Sequence, residues 1–236
     1  MTEPNLRLLL ISNSTIHGGA YLGHVLAPLK AALAGVSHAL FVPYALKDHD
    51  AYTAKARAVF SSLGVRLDSA HEAADPAVAA GRAEAIFVGG GNTFRLLKAM
   101  QVTGLLEAIR ERCRAGTLYI GSSAGSNVAA PTIRTTNDMP IVQPASFDAL
   151  GLVPFQINPH YLDPDPASKH MGETREERLV QYLEENETPV VGLREGAWLR
   201  VASGSVLLEG TTGARVFRRG RPAVERHPGD LLDDLV

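Results

Sequence analysis

The sequence predicts an α/β fold with a mainly parallel central sheet. Short apolar runs alternate with segments of helical periodicity, and two of these runs lead directly into glycine-rich turns. Continuous apolar strands are typical of a parallel sheet that is covered by helices on both faces. With 236 residues, 45% of them hydrophobic, the chain is long enough to form one such domain.

In the first half of the chain, strands and helices are predicted in alternation. The apolar run at residues 6–11 ends at a turn-prone serine and asparagine segment, and the helix predicted at 20–33 has apolar side chains on one face. A strand at 39–42 stops at Pro43, and a helix at 52–63 is followed by Gly64, a residue type that commonly ends helices. Further strands are predicted at 65–67, 85–88 and 117–120, with a helix at 103–114 that Gly116 closes.

Beyond residue 130 the pattern changes. Residues 131–170 hold many of the prolines and predict no long helix, whereas 172–185 predict a helix and 189–193 another buried strand. Residues 198–226 alternate like short antiparallel strands, at 198–201, 205–208 and 214–217. No repeat or linker interrupts the chain, so we predict a single domain over 1–236, with residues 229–236 as a loose acidic tail.

Composition argues against several classes of partner and compartment. Twenty-three basic and 25 acidic side chains leave no positive excess to hold a phosphate backbone, so we expect no nucleic acid partner. No apolar run approaches the roughly 18 residues of a membrane span, and no signal-peptide pattern opens the chain. A single cysteine, Cys113, permits no internal disulfide. We therefore expect a cytoplasmic protein without a membrane partner.

The segment Gly121-Ser122-Ser123-Ala124-Gly125 has the G-x-S-x-G pattern of a nucleophile elbow. It follows an apolar strand and precedes a helix-capable segment, which is the context that the motif requires. The sharp reversal exposes the central serine hydroxyl at the carboxyl end of the strand. The backbone N–H of Ala124 is then expected to face the place where an oxyanion would form. A glycine-rich turn without catalytic function is the alternative.

A second glycine loop, residues 89–94, also follows a buried strand. Dinucleotide binding requires a third glycine where Phe94 stands, so the fingerprint fails and no nucleotide cofactor is expected. We interpret Gly90 and Gly91 as backbone donors to an oxyanion or as a platform for substrate. A merely structural turn is the alternative.

A serine nucleophile needs a base, and His160 is the best-placed histidine in the sequence. It follows a short apolar strand, and Pro159 fixes the backbone before it. Two carboxylates are candidates to orient the His160 ring. Asp138 lies in a polar loop, and Glu195 lies directly past the strand at 189–193. The strand-end position favours Glu195, because functional groups in parallel sheets gather at carboxyl ends. No HExxH motif or Cys/His cluster predicts a metal.

Together these segments resemble peptidase E, the aspartyl dipeptidase family of serine peptidases. The matching stretches are residues 9–15, 88–94, 119–125, 131–142, 156–160 and 172–176, and the likeness covers roughly 6–220. The resemblance implies a three-layer α/β sandwich related to class I glutamine amidotransferases, with Ser123 as nucleophile and His160 as base. It leaves the acidic partner open between Asp138 and Glu195. We prefer Glu195, so that Asp138 shapes the pocket or binds the substrate's amino group.

The resemblance also implies small peptide substrates, Asp-Xaa dipeptides with a free N-terminal aspartate. Their side-chain carboxylate calls for a cation, and Arg134 is our first candidate, followed by Arg175 and His170, with Asn92 as a further substrate-binding residue. The sequence departs from the family pattern at Ser122 and in the segment 161–171, and the second departure leaves fine specificity open, because that segment directly follows the catalytic histidine.

Three alternatives remain. The first is an aminopeptidase of the same family with broader specificity, the second a non-catalytic binding module on the same scaffold. The third, a glutamine amidotransferase, normally needs cysteine where Ser123 stands. A homodimer is compatible with the sequence.

Overall fold

A seven-stranded sheet forms the centre of the computed structural model, which describes residues 5–164, 167 and 171–236. Five strands are parallel: β1 (Leu8–Ile11), β2 (His38–Val42), β3 (Arg66–Ser69), β4 (Ala85–Val88) and β5 (Leu118–Ser122). Two antiparallel strands, β8 (Ala197–Ala202) and β9 (Ser205–Gly210), extend it beyond β1. The order is β3-β2-β4-β5-β1-β8-β9.

Helices cover both faces of this sheet. One face packs against α1 (Leu26–Ala32) and α2 (His49–Ser62). The other packs against α3 (Pro76–Arg82), α4 (Thr93–Val102), α5 (Leu105–Arg114) and α6 (Ala124–Asn127). Alternate residues of each strand point to opposite faces, so a strand such as β1 contributes to both apolar clusters. The predicted α/β class with a mainly parallel sheet covered by helices is confirmed.

A second sheet of four strands was not predicted. It consists of β6 (Gln156–Tyr161), β7 (Val190–Arg194), β10 (Ala214–Arg218) and β11 (Arg221–Arg226), in the order β11-β10-β7-β6. The helix α7 (Arg175–Glu185) packs against it. The buried strand expected at 189–193 therefore lies in this sheet, where it pairs in parallel with β6 and antiparallel with β10.

One helix prediction differs from the structure, and two further helices were not predicted. The helix expected at 20–33 is a short 3₁₀ turn followed by α1, because Leu22 adopts the left-handed conformation, with φ of 56°, and ends any earlier helix. The helices α3 and α4 were not predicted. Both begin at a side chain that accepts backbone hydrogen bonds, Asp75 and Asn92, respectively.

The C-terminal residues are packed, so the prediction of a loose tail at 229–236 is wrong. The N–H of Leu232 donates to the carbonyl of Val206 at 2.8 Å, and that of Leu208 donates to the carbonyl of Asp230 at 2.9 Å. Leu232 and Leu235 are buried in the core. The burial of these two leucines and the backbone hydrogen bonds hold the C-terminal segment against the core, despite the acidic composition that suggested a solvated end. No helix in the described part of the chain has the length and apolar character that crossing a bilayer requires.

Candidate active site

Ser123 lies at the sharp turn between β5 and α6. Its backbone has φ of 54° and ψ of −111°, outside the regions that most residues occupy. The flanking glycines have no room for a side chain. A Cβ on Gly121 would lie 2.5 Å from the carbonyl oxygen of Gly125, and one on Gly125 would lie 2.1 Å from that of Val88. The G-x-S-x-G pattern is therefore required by the packing of this turn.

Hydrogen bonds hold the turn against the central sheet. The N–H of Ser123 donates to the carbonyl of Ile11 at 2.9 Å, and the hydroxyl of Ser126 donates to the same carbonyl at 2.7 Å. The hydroxyl of Tyr119 donates to the carbonyl of Gly125 at 2.6 Å. Because these contacts are buried, the strained conformation of Ser123 is fixed by its surroundings.

His160 reaches Ser123 from the second sheet. It sits near the end of β6 at an irregularity in the pairing with β7, and its φ is 54°. Its backbone N–H donates to Ser12 Oγ at 2.9 Å, while Ser12 Oγ donates to the carbonyl of Leu193 at 2.8 Å. The ring Nε2 lies 2.8 Å from Ser123 Oγ. Ser12, whose role the sequence did not reveal, thus ties the histidine backbone to β7.

Glu195 contacts the far side of the imidazole. Its Oε1 lies 2.6 Å from His160 Nδ1. A neutral ring that donates from Nδ1 to Glu195 leaves Nε2 able to accept the proton of the Ser123 hydroxyl. The backbone around Glu195 is held on both sides, since Thr212 Oγ1 donates to its carbonyl at 2.7 Å and the N–H of Gly196 donates to Asn13 Oδ1 at 2.9 Å.

Asp138 is engaged elsewhere. Its Oδ2 accepts hydrogen bonds from the N–H and the hydroxyl of Thr93, at 2.7 and 2.6 Å. The carboxylate thereby satisfies the first backbone N–H of α4. Each ring nitrogen of His160 already has a partner, Ser123 at Nε2 and Glu195 at Nδ1. Asp138 therefore does not orient the imidazole in this structure, although it lines the space around Ser123.

Asn92, predicted to bind substrate, has a structural function instead. Its Oδ1 accepts from the N–H of Arg95 at 3.0 Å, and its Nδ2 donates to the carbonyl of Met139 at 2.9 Å. The side chain caps α4 and ties the second glycine loop to the Asp138 loop. Both of its polar atoms are used within the protein.

The predicted oxyanion donors are only partly available. The N–H of Gly90 donates to the hydroxyl of Tyr52 at 2.8 Å, which corrects its assignment as an oxyanion donor. Gly90 is needed for close approach, because a Cβ there would lie 2.9 Å from Ser123 Cβ. Ala124, the first residue of α6, has no helical partner for its N–H. Gly91 lines a cavity beside Ser123 and has φ of 132°.

A cavity of about 350 Å³ opens beside Ser123 and is lined by Arg175; we call it the arginine cavity. Thr136, Asp138, His160 and Glu195 also line it. Arg175 has no hydrogen bond or ion pair with any other described residue. Burial, and then the positive charge of Arg178, lower the pKa of its guanidinium, while Asp138 opposes that shift. The arginine cavity thus presents an unpaired cation close to the serine.

Arg134, the first candidate for the substrate cation, lines neither this cavity nor the larger one beside Ser123. Its guanidinium carbon lies 5.1 Å from the centre of the Phe147 ring, in a neighbouring cavity of about 510 Å³. Arg175 therefore replaces Arg134 as the best-placed cation. His170, the third candidate, lies outside the described residues. Within the described ranges, no group of three His, Cys, Asp or Glu side chains is placed to share a metal ion.

Comparison with known proteins gives consistent matches over nearly the whole chain. The family model described as Peptidase family S51 matches residues 8–208. A protein named Peptidase E from Streptomyces coelicolor is 55% identical over 231 residues, covering 98% of this chain and 95% of the relative. A protein named Probable alpha-aspartyl dipeptidase from Drosophila melanogaster is 49% identical, with 97% and 95% covered.

A solved structure, of a peptidase from an acI-B1 Actinobacterium, has a similar fold. It superposes with a TM-score of 0.72 at 17% identity, covering 98% of each chain. At this identity the likeness shows the fold alone, which agrees with the architecture described above.

Proposed function

The chain belongs to peptidase family S51, and we propose that it is a serine dipeptidase that removes N-terminal aspartate from Asp-Xaa dipeptides. The observation that carries the proposal is the line of contacts from Ser123 Oγ through the His160 ring to Glu195 Oε1, at 2.8 and 2.6 Å. This is the arrangement that activates a serine for acyl transfer. The name of the Drosophila relative, Probable alpha-aspartyl dipeptidase, supports the substrate class, and that of the Streptomyces relative, Peptidase E, supports a peptidase.

The proposed reaction proceeds through an acyl-enzyme. Ser123 Oγ attacks the scissile carbonyl carbon while His160 Nε2 takes the hydroxyl proton. The N–H groups of Gly91 and Ala124 stabilise the oxyanion. His160 then protonates the leaving nitrogen, the C–N bond breaks, and the aspartyl group stays on Ser123 as an ester. His160 then deprotonates a water molecule, which attacks the ester carbonyl carbon; the ester C–O bond breaks, His160 returns the proton to Ser123 Oγ, and aspartate leaves. Glu195 holds the ring in the required tautomer and stabilises its cation.

Arg175 is the proposed ligand of the substrate's side-chain carboxylate. It is half-buried, lines the arginine cavity and has no partner among the described residues. Asp138, on the wall of the same cavity, is placed to accept from the substrate ammonium. Glutamate is one methylene longer than aspartate, and asparagine lacks the charge, so each would leave the guanidinium without a well-placed counter-ion.

A dipeptide panel of Asp-Leu, Glu-Leu, Asn-Leu and Leu-Leu tests this function. We expect Asp-Leu to be preferred by roughly a hundred-fold in kcat/KM, which corresponds to about 2.7 kcal/mol. Replacing Arg175→Met should abolish that preference by damaging Asp-Leu hydrolysis. The matched control, Arg134→Met, removes an exposed arginine that faces a different cavity. This variant should keep the preference for Asp-Leu.

Two outcomes would replace this proposal. Equal cleavage of Leu-Leu and Asp-Leu would favour an aminopeptidase of broader specificity. No hydrolysis, together with no labelling of Ser123 by a serine-reactive phosphonate, would favour a non-catalytic binding module.

Compartment and assembly are further proposals. We propose the cytoplasm, because the single cysteine of the sequence, Cys113, is a buried free thiol and the chain has no structural disulfide. Cell fractionation would test this. The homodimer stays a prediction, which light scattering on the purified protein would check.

A further inference from the structure

A second and larger cavity opens beside Ser123 along the start of α2; we call it the lysine cavity. Its volume is about 740 Å³, and Lys47, Lys55, Tyr21 and Tyr52 line it together with Ser123 and His160. Neither lysine forms an ion pair or a hydrogen bond with another described residue. Ser123 thus lies between two cavities that each contain unpaired positive charge.

Close contacts connect Ser123 with Lys55. Gly90 packs directly against Ser123 and donates its N–H to the Tyr52 hydroxyl at 2.8 Å. The Tyr52 ring meets Tyr21 edge-on, with centres 6.1 Å apart, and Lys55 Nζ lies 4.6 Å from the centre of the Tyr21 ring. Lys55, whose side chain is exposed, and Ser123 therefore line the same cavity and are connected through these two tyrosines.

Tyr21 adds an independent sign of a ligand. Its side chain is 9% exposed, and its hydroxyl has no partner at hydrogen-bond distance and angle among the described residues, although it interacts with the neighbouring Tyr52 phenol. A buried hydroxyl without a partner is unfavourable, so an acceptor supplied by a bound molecule would stabilise it. Burial raises the pKa of this phenol well above its ordinary value, which keeps it protonated and able to donate.

Two carboxylates on the same wall are already engaged. Asp48 accepts from the N–H of Ala51 at the start of α2, and Asp138 accepts from Thr93 at the start of α4. Besides these carboxylates, the lysine cavity offers two ammonium groups and a hydroxyl donor to an anion. In an Asp-Xaa dipeptide whose aspartate side chain lies in the arginine cavity, the anion on the leaving side of the scissile bond is the C-terminal carboxylate.

We propose that Lys55 and the Tyr21 hydroxyl bind the C-terminal carboxylate of the dipeptide. The inference rests on the proposed function and deepens it. This carboxylate lies one residue beyond the scissile carbonyl, about 3.3–3.6 Å along an extended chain, and the lysine cavity that Ser123 and Lys55 both line is open to receive it. A longer peptide or a C-terminal amide has no charge at this place, so the lysine cavity selects dipeptides by recognising where the chain ends.

The test compares Asp-Leu with its C-terminal amide, Asp-Leu-NH₂, by chromatographic assay of the released aspartate. The wild-type enzyme should prefer the free carboxylate by roughly ten- to a hundred-fold in kcat/KM, the range for a charge-assisted hydrogen bond. Lys55→Met should lose this preference by slowing Asp-Leu alone, while Lys55→Arg should retain most of it. Tyr21→Phe should reduce the preference by a smaller factor.

The matched control is Lys30→Met, which removes an exposed lysine of α1 and should behave as wild type. A variant that merely damages the fold would slow the hydrolysis of Asp-Leu and of Asp-Leu-NH₂ equally. Comparison with the amide therefore distinguishes such damage from a loss of carboxylate binding.

Equal rates on the two substrates in the wild-type enzyme would overturn the inference, and the proposed function would survive if Asp-Leu were still preferred to Asn-Leu. If Lys47→Met abolished the preference and Lys55→Met did not, the assignment to Lys55 would be overturned. Absence of hydrolysis of every Asp-Xaa substrate would instead refute the proposed function.

Discussion

Replacing Glu195→Gln separates the charge of the proposed orienting residue from its size. The carboxylate Oε1 lies 2.6 Å from His160 Nδ1 in the structure. Glutamine can still accept a hydrogen bond at this place through its amide oxygen, so the ring keeps a geometry close to that of the wild type. The lost interaction is the attraction between the carboxylate and the imidazolium that forms when Ser123 gives up its proton.

The solvent exposure of the His160–Glu195 pair determines how far kcat should fall in the Glu195→Gln variant. Two unit charges about 4 Å apart attract by about 1 kcal/mol in water and about 4 kcal/mol at an effective dielectric constant of 20. The side chains of His160 and Glu195 are 38% and 47% exposed, which places the pair between these limits. A loss of about 2–3 kcal/mol corresponds to a fall of roughly 30- to 150-fold in kcat. The fully buried aspartate of chymotrypsin-type triads contributes more, about ten-thousand-fold.

Steady-state kinetics on Asp-Leu measure this effect, with Asp138→Asn as the comparison. We expect Glu195→Gln to lower kcat, because the charge matters most when the imidazolium forms. Asp138→Asn should act mainly through KM, since Asp138 faces the substrate and does not contact the ring. The reasoning is refuted if Glu195→Gln stays within about three-fold of wild type while Asp138→Asn lowers kcat by roughly a hundred-fold.

Three further predictions concern the frame around the site. Gly125→Ala should unfold the protein or strongly lower its Tm in calorimetry, because the new methyl group would lie 2.1 Å from the Val88 carbonyl oxygen; an unchanged Tm would contradict the packing argument. Asp163 pairs with Arg194 at 2.7 Å, which lowers the pKa of its carboxyl, so its stabilisation is present above the unfolded-state pKa near 3.9 and is lost as the pH falls through the lower folded pKa. Asp163→Asn should therefore cost about 0.5–1 kcal/mol of unfolding free energy at pH 7 and progressively less as the pH falls through the folded pKa of Asp163, as denaturant titrations would measure. Burial raises the pKa of the Cys113 thiol to about 12, so iodoacetamide at pH 8 should label it only in the unfolded protein, and rapid labelling of the native protein would refute this.

The elbow around Ser123 and the main sheet could be predicted because their signals are local. A buried strand, two glycines at fixed spacing and a following helix all lie within about a dozen residues of one another. The packing of Gly121 and Gly125 shows why that spacing is needed. Likewise, the position of Glu195 directly past a strand was readable from the apolar run before it. His160, in contrast, lies within β6 and not after the short apolar strand expected to precede it, and both β6 and β7 belong to a sheet that the sequence did not reveal.

The features that were missed depend on contacts distant in sequence. The run at 190–194 has the same apolar character as the strands of the main sheet, so nothing local tells which sheet it joins. Arg134 is closer to Ser123 in sequence than Arg175, yet its side chain lies over Phe147. Asn92 was predicted to bind substrate, whereas its position directly before α4 makes it a helix cap.

Lys55 and Tyr21 illustrate the same limit. They lie in helical and turn segments without any motif, and only the fold brings them beside Ser123.

The central claim is that Ser123 is the nucleophile, and the most direct measurement compares Asp-Leu hydrolysis by Ser123→Ala and Ser122→Ala. Ser122 is the matched control, because it is the adjacent serine, is fully buried and has a hydroxyl without a hydrogen-bond partner among the described residues. Circular dichroism first checks that both variants are folded. We then expect a loss of about a thousand-fold or more in kcat for Ser123→Ala and nearly wild-type turnover for Ser122→Ala. Turnover by Ser123→Ala within about ten-fold of wild type would contradict it.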